Sequence, residues 1–502
     1  RLLARITGDQ EMASSAAAVR VAAQCDRLPL ALRIAAARLR SRPSWTVATL
    51  ATQLADERQR LKRLTVGDLA VQPNLNLSYR SLGPAEARTF RLLGLLNMPE
   101  FSVGLAAAVS GAAWGEAEDV LERLVDVALL QTPVPDRYRF HDLVRLFALE
   151  RAEAEEQPEP RRAAVAAAVG WYRERAVEGA LLLGPSRQAG PTRFFPDLAA
   201  ALAWFEAERE NLVRAVARAD EYDLTTPCWQ LADALFRFFE LRRYRQDWQS
   251  VNERALSAAR RAGDDRGAEG RMLNGLGYVL FEQGRLKEAV GHLERALVLR
   301  RQDGHRAGEG RTLKNLGDVH IQLHQPAQAL DYYQQAAAIG HEVGDRGREA
   351  QALYGVGVSL FELGRYAEAE DRLKAVLALL REVGDRPKEG RTLLRLADAQ
   401  RAQRRLDEAI SIYRDSLSII GASGDHYQHG LACWHLGVAL QALPAEQRRS
   451  HAEQPATYWR QALAIFDQLG ASEASDLRHL LTTTTQQGTH EGHDIQEASH
   501  AP

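Results

Sequence analysis

Between residues 263 and 470, apolar side chains recur three and four apart, stop at a glycine-bearing turn and resume. In one such unit Leu273, Leu276 and Leu280 form a helical face around Gly277. A turn follows at Gln283-Gly284-Arg285, and Ala289, Leu293, Ala296 and Leu297 form a second face. The spacing predicts a helix, a tight turn and an antiparallel helix. Gly277, Gly317, Gly357, Ala397 and Gly437 lie 40 residues apart, as do Arg266, Arg306, Arg346 and Arg386, and Glu269, Glu309, Glu349 and Glu389. Self-similarity at that period predicts stacked helical hairpins, and the Gly-Asp punctuation at Gly344-Asp345 and Gly384-Asp385 excludes one long coiled coil. The Arg and Glu three apart are expected to be helix-surface pairs, worth roughly a few tenths of a kcal/mol each.

Upstream the period is absent. Residues 14–40 read as two helices broken around Cys25–Leu32, residues 46–64 as a third and residues 73–96 as two more. Trp114–Leu130 reads as a helix, followed by the Pro-rich Gln131–Asp136 and a β-like Arg137–Phe140 that runs into His141–Arg145. Helices, a short loop, a strand and another helix fit a winged-helix module. Glu155–Pro160 reads as a linker, Trp204–Leu212 as an amphipathic helix, and Leu235, Phe236, Trp248 and Ala255 as a degenerate hairpin whose Trp248 needs different packing. The expected fold is therefore predominantly all-α: a helical segment over 1–66, a winged helix over 67–156, a helical region over 161–258 and a helical-repeat solenoid over 259–482. Residues 483–502, with His490, His493 and His500, are expected to be a disordered, solvated tail and not a metal site.

Composition narrows the function classes. Against 64 Lys and Arg stand 66 Asp and Glu, a net charge of −2, which excludes a uniformly basic nucleic-acid binder. The best candidate recognition helix carries Glu116, Glu118, Asp119, Glu122 and Asp126 with Arg123 alone opposing, so DNA would be repelled and protein packing is expected instead. Cys25, Cys228 and Cys433 lie about two hundred residues apart, without a Cys-x-x-Cys pair, a pattern that fits a reducing cytoplasm. No apolar run approaches the ~20 residues that cross a bilayer. The chain lacks an initiator Met and opens within a helical pattern, so it reads as part of something longer.

The small residues at relative positions 8, 20 and 27, as in Gly317/Ala329/Ala336, Gly357/Ala369/Val376 and Ala397/Ala409/Ser416, resemble the tetratricopeptide repeat, here with longer helices and connectors than its usual period of about 34 residues. The first helices of stacked pairs line a concave surface. By spacing, that surface should carry Arg271, Asn274, Tyr278, Arg311, Lys314, Tyr354, Arg391 and Trp434. Arginine forks between aromatic plates suit a protein or peptide partner, while the plainer expectation pairs the same arginines with neighbouring acids.

Leu28-Pro29-Leu30-Ala31 and Phe140-His141-Asp142 resemble the Gly-Leu-Pro-Leu-Ala and Met-His-Asp motifs of the NB-ARC signal-transduction ATPases, with Arg27 for Gly and Phe140 for Met. The resemblance implies that Pro29 lies against the adenine of ADP and His141 against its β-phosphate while Asp142 braces the loop, holding an off state. With the helical array it extends to the actinobacterial antibiotic-biosynthesis regulators, which bind DNA through a region absent here. No Gly-x-x-x-x-Gly-Lys-Ser/Thr loop and no Gly-Lys pair occurs anywhere. Catalysis by this chain is therefore not expected, and ADP or ATP would bind only in a full-length protein. A free-standing tetratricopeptide scaffold without a nucleotide role is the alternative.

Overall fold

High helix propensity runs through nearly the whole chain, and the described residues are correspondingly a succession of α-helices with two small sheets among them. This computed structural model describes residues 15–27, 29–42, 44–56, 60, 64–66, 69–183, 190–263, 266–450 and 454–482. The chain divides at Leu276/Gly277 into two units.

The first unit opens with α1 (Ala16–Gln24), α2 (Pro29–Arg40) and α3 (Val47–Ala55), packed through Val21, Cys25, Ile34, Leu50 and Leu54. Pro29 begins α2, where its missing N–H costs no hydrogen bond. Thr46 caps α3 by accepting from the Thr49 N–H at 3.1 Å. The helix expected over 46–64 ends at Ala55, because Asp56 is already extended (ψ 102°). A two-residue antiparallel hairpin follows, β1 (Thr65–Val66) and β2 (Leu69–Ala70).

Then come α4 (Val71–Arg80), α5 (Pro84–Gly94), β3 (Phe101–Ser102), α6 (Val103–Ser110), α7 (Trp114–Asp126), β4 (Gln131–Val134), β5 (Arg137–Arg139) and α8 (Asp142–Glu155). The strands form an antiparallel sheet in the order β3-β5-β4, pairing Phe101 with Tyr138 and Gln131 with Arg139. Phe140 packs edge-on against Phe90, with ring centres 5.5 Å apart, and beside Phe101. The pattern did not announce α6, since its eight residues are apolar on almost every side and show no stripe. Nor did it announce β4, whose Pro133 is tolerated because the strand lies at the sheet edge. On α7 the side chains of Glu116, Asp119, Glu122 and Asp126 are exposed, and Glu122 accepts from the Tyr138 hydroxyl of β5 at 2.5 Å.

The expected linker is a braced corner. Arg91 binds Glu155 at 3.0 Å and Glu156 at 2.6 Å, and the Tyr79 hydroxyl donates to Glu155 at 2.7 Å. From there α9 (Pro158–Leu182), α10 (Leu198–Glu221), α11 (Thr225–Arg242) and α12 (Arg245–Ala262) continue the unit. Phe205 stacks on Phe238 at 5.0 Å, and the buried Trp248 meets Phe236 edge-on at 5.2 Å. Arg137 of β5 reaches the buried Glu208 of α10, which also accepts from Tyr172 at 3.1 Å and from Asn211 at 2.5 Å.

Helix α13 (Arg266–Glu282) crosses the division, and the second unit continues as hairpins: α14 (Leu286–Gln302), α15 (Arg306–Gln322), α16 (Pro326–Glu342), α17 (Arg346–Glu362), α18 (Tyr366–Val383), α19 (Arg386–Ala402), α20 (Leu406–Ser423) and α21 (His426–Gln441). The Gly-Asp punctuation has a double use. Gly344, Gly384 and Gly424 take left-handed φ values of 70°, 71° and 74°, ending one helix, while Asp345, Asp385 and Asp425 accept from backbone N–H groups three residues on, starting the next.

Gly317 is small because a side chain occupies its Cβ position: an added methyl would lie 2.6 Å from the Tyr333 ring. The extra residues of the last hairpin form α22 (Ala445–Ser450), and α23 (Pro455–Leu469) returns the register. A helix over 473–482 closes the stack, burying Ala474 and Leu477 beside Trp459 and Phe466. The segment 483–502, expected to be a disordered tail, lies outside the described residues.

The repeated Arg–Glu pairs are not the surface pairs expected. Glu309, Glu349 and Glu389 have side chains only 7%, 12% and 3% exposed. Each is gripped from its own helix by Arg306, Arg346 or Arg386 and from the preceding helix by Arg301, His341 or Arg381. Arg260 grips Glu269 in the same way at 3.0 Å. These carboxylates tie one hairpin to the next.

Candidate functional site

Two places gather the expected site residues. The first is the accessible stripe along the leading helix of each hairpin. In the second unit Arg311 is exposed, whereas Tyr278, Lys314, Tyr354 and Trp434 are half-buried, the last three at the same place in their repeats. Tyr278 lies 5.8 Å from Phe281, and Trp434 sits edge-on to His435 and Phe466. Of the cations, Lys314 binds Asp318 at 2.5 Å and Arg391 binds Asp425 at 2.5 Å, the same aspartate that caps α21. In the first unit Arg271 binds Asp233 at 3.1 Å and lies over Trp229, and Asn274 is buried. Three of the basic groups thus already hold acids, and the aromatic faces are the more available part of the stripe.

The floor of this stripe holds acids bonded to tyrosines of the following helix. Asp398 is buried and accepts from the Tyr413 hydroxyl at 2.6 Å, with His435 Nδ1 at 2.7 Å and Arg395 at 3.3 Å. Burial would raise its carboxyl pKa, but His435, Arg395 and Tyr413 outweigh that and hold it below the usual range. Tyr413 is itself pushed up by burial and by Asp398. Asp318 and Tyr333 repeat the bond at 2.6 Å, with the same separation of fifteen residues. That recurrence at twice the period was present in the sequence.

The second place is the start of α8. His141 is its N-cap residue, and both ring nitrogens are engaged. Nδ1 lies 2.6 Å from Asp26 Oδ2, and Nε2 lies 2.5 Å from the Gln131 amide nitrogen. The backbone N–H of Asp142 donates to the same Asp26 oxygen at 2.7 Å. Asp26 and Arg27 have left-handed φ values of 49° and 54° in the turn that leads into Pro29, which is exposed at the start of α2. The fold therefore brings the Pro29 segment and the His141 segment together through Asp26, a residue that neither motif contains. The side chains of His141 and Asp26 remain 26% and 29% exposed, so solvent reaches the junction.

Family models match the repeat region. The tetratricopeptide repeat family matches residues 268–340 and 348–420, and a second tetratricopeptide family matches residues 314–379. The regulatory protein AfsR of Streptomyces griseus is 39% identical over 313 residues, which are 60% of this chain and 32% of that protein. The chain carries tetratricopeptide repeats and is homologous to the AfsR regulators. AfsR of Streptomyces coelicolor is likewise 39% identical, over 57% of this chain and 30% of that protein. The chain thus spans about a third of the length of the curated relatives it matches. Among solved structures, a signal transduction ATPase with numerous domains from Pyrococcus horikoshii, which has a tetratricopeptide repeat sensor, is similar with 13% identity and a TM-score of 0.44. The likeness covers 90% of this chain and 74% of that one. Among the described residues no helix is long and apolar enough to cross a membrane, and the three cysteines are free and buried.

Proposed function

We propose that this chain is the sensing and regulatory part of a nucleotide-switched transcriptional regulator. Its repeat array binds a partner protein or peptide along the stripe from Tyr278 to Trp434. The α4–α8 module, which contains a β-hairpin, is a winged helix that helps hold an ADP-bound off state. The observation that carries the nucleotide part is the meeting of the Pro29 and His141 segments on Asp26, across 115 residues of chain.

The residues fit one edge of a nucleotide site. Pro29 offers an exposed ring at a helix start, and the partly exposed His141 imidazole and the Asp142 backbone N–H converge on Asp26. They do not form a phosphate cradle, since the chain has no glycine-rich loop with lysine. Hydrolysis and DNA reading are accordingly assigned to parts of the protein beyond this chain, and His141 acts as a sensor, not a catalytic group. When bound, ADP would supply the negative charge that imidazole and backbone N–H groups recognise. Partner binding and nucleotide state would be linked as two conformations with different contacts.

Purification of the full-length protein tests this. Wild type should retain ADP, and His141→Ala should lose most of it while keeping its helical circular dichroism. Equal ADP retention in both would remove His141 from the site.

A further inference from the structure

We infer that Asp26 is an internal anion standing where a nucleotide phosphate would meet His141, and that Gln131 is a positioning residue that fixes which ring nitrogen carries the proton. This inference rests on the reading of His141 as the phosphate sensor.

The assignment follows from hydrogen-bond direction. Arg139 Nε–H donates to Gln131 Oε1 at 3.1 Å, so the amide oxygen is turned toward Arg139 and the amide nitrogen toward His141. An amide NH2 only donates, hence His141 Nε2 accepts with its lone pair. The ring proton then sits on Nδ1 and points at Asp26 Oδ2. Gln131 and Arg139 are direct partners across β4 and β5, so the sheet register holds the pair that sets the tautomer.

Asp26 Oδ2 thereby receives two converging donors, the Nδ1–H of His141 and the backbone N–H of Asp142 at the start of a fourteen-residue helix. An imidazole N–H beside a helix-start N–H is a donor pair suited to a phosphate oxygen. A carboxylate and a phosphate cannot occupy it together. Asp26 reaches the position from a turn whose two residues hold left-handed φ values, so its departure would reshape the chain directly before Pro29. Phosphate entry and movement of the Pro29 segment are thus one event.

Titration of ADP into nucleotide-stripped full-length protein, with nitrogen-15 NMR of the His141 ring in the present chain, tests the inference. Asp26→Ala should tighten ADP roughly tenfold, the effect of removing one charged hydrogen-bonding competitor. Asp26→Asn, which keeps the shape and drops the charge, should give a smaller gain. Wild-type His141 should show the Nδ1–H form, Gln131→Leu should mix the two forms, and Gln131→Asn should not restore it, because the shorter amide cannot span the gap. Unchanged or weaker ADP binding in both Asp26 variants, with binding still lost in His141→Ala, would overturn the competitor and leave the sensor standing. An Nε2–H wild-type ring would overturn the role of Gln131. ADP binding indifferent to His141→Ala would overturn the sensor and the inference together.

Discussion

In the repeat unit each structural device recurs: a glycine facing a large side chain, a Gly-Asp connector, a buried glutamate gripped from two helices. In the N-terminal unit, apart from the Arg260–Glu269 copy of that grip, the polar contacts named above occur once. Arg137 meets Glu208 between β5 and α10, and Asp26 meets His141 between the α1–α2 turn and α8. Redundancy and singularity have different consequences. A glutamate held by two cations keeps one when the other is removed, whereas a buried carboxylate with a single cation is stranded. An array built on nearest-neighbour contacts therefore distributes its stability, and a unit held by unique long-range contacts concentrates it at a few residues that also position the candidate sensor.

The largest test of this contrast is Arg137→Ala. It leaves Glu208 buried with only Tyr172 and Asn211, and should cost about 3 kcal/mol of first-unit stability in urea unfolding. Arg386→Ala, which leaves Arg381 on Glu389, should cost much less. Similar losses from both substitutions would erase the distinction.

Next in size is the glycine contact. Gly317→Val pushes carbon into the Tyr333 ring and should cost about 2 kcal/mol. Gly291 lies on α14 with nothing within 4 Å of its Cβ position, so Gly291→Ala should stabilise by roughly 0.5–1 kcal/mol through helix propensity. Thermal unfolding of the two variants separates packing from propensity, and a destabilising Gly291→Ala would break the argument.

A further expected effect is a pH dependence of the second unit. Burial would raise the Glu370 carboxyl, but hydrogen bonds from Lys374, Arg405, Gln403 and Gln400 bring it down from 4.5 to about 2. A depressed carboxylate contributes stability above its unfolded pKa and loses it as pH falls toward the folded one. Second-unit stability should therefore fall between about pH 4.5 and about pH 2, and Glu370→Gln should flatten that slope. An unchanged slope would show that the Glu370 contacts do not persist in solution.

Much of the repeat unit was legible because its contacts are local and periodic: Gly317 and Tyr333 are sixteen residues apart, Asp398 and Tyr413 fifteen. The pattern was misread where periodicity could not tell a surface from an interface. Glu309, Glu349 and Glu389 look like solvent pairs on their own helices and are buried only because the preceding helix lies over them. Pro29 and His141 were legible as motif fragments, but Asp26, Gln131 and Arg139 were not. A turn aspartate and two residues of a short Pro-rich hairpin carry no spacing that marks them as partners of a distant histidine.

The sequence by itself determined the helices, the forty-residue register, the small positions and the connectors, because each follows from side-chain size, backbone propensity and contacts within a few turns. Tertiary structure alone decided which carboxylates are buried, which cations already hold acids, and that Asp26 faces His141. Those outcomes depend on which surfaces are pressed together and stripped of water, a property of neighbours in space that the order of residues along the chain does not display.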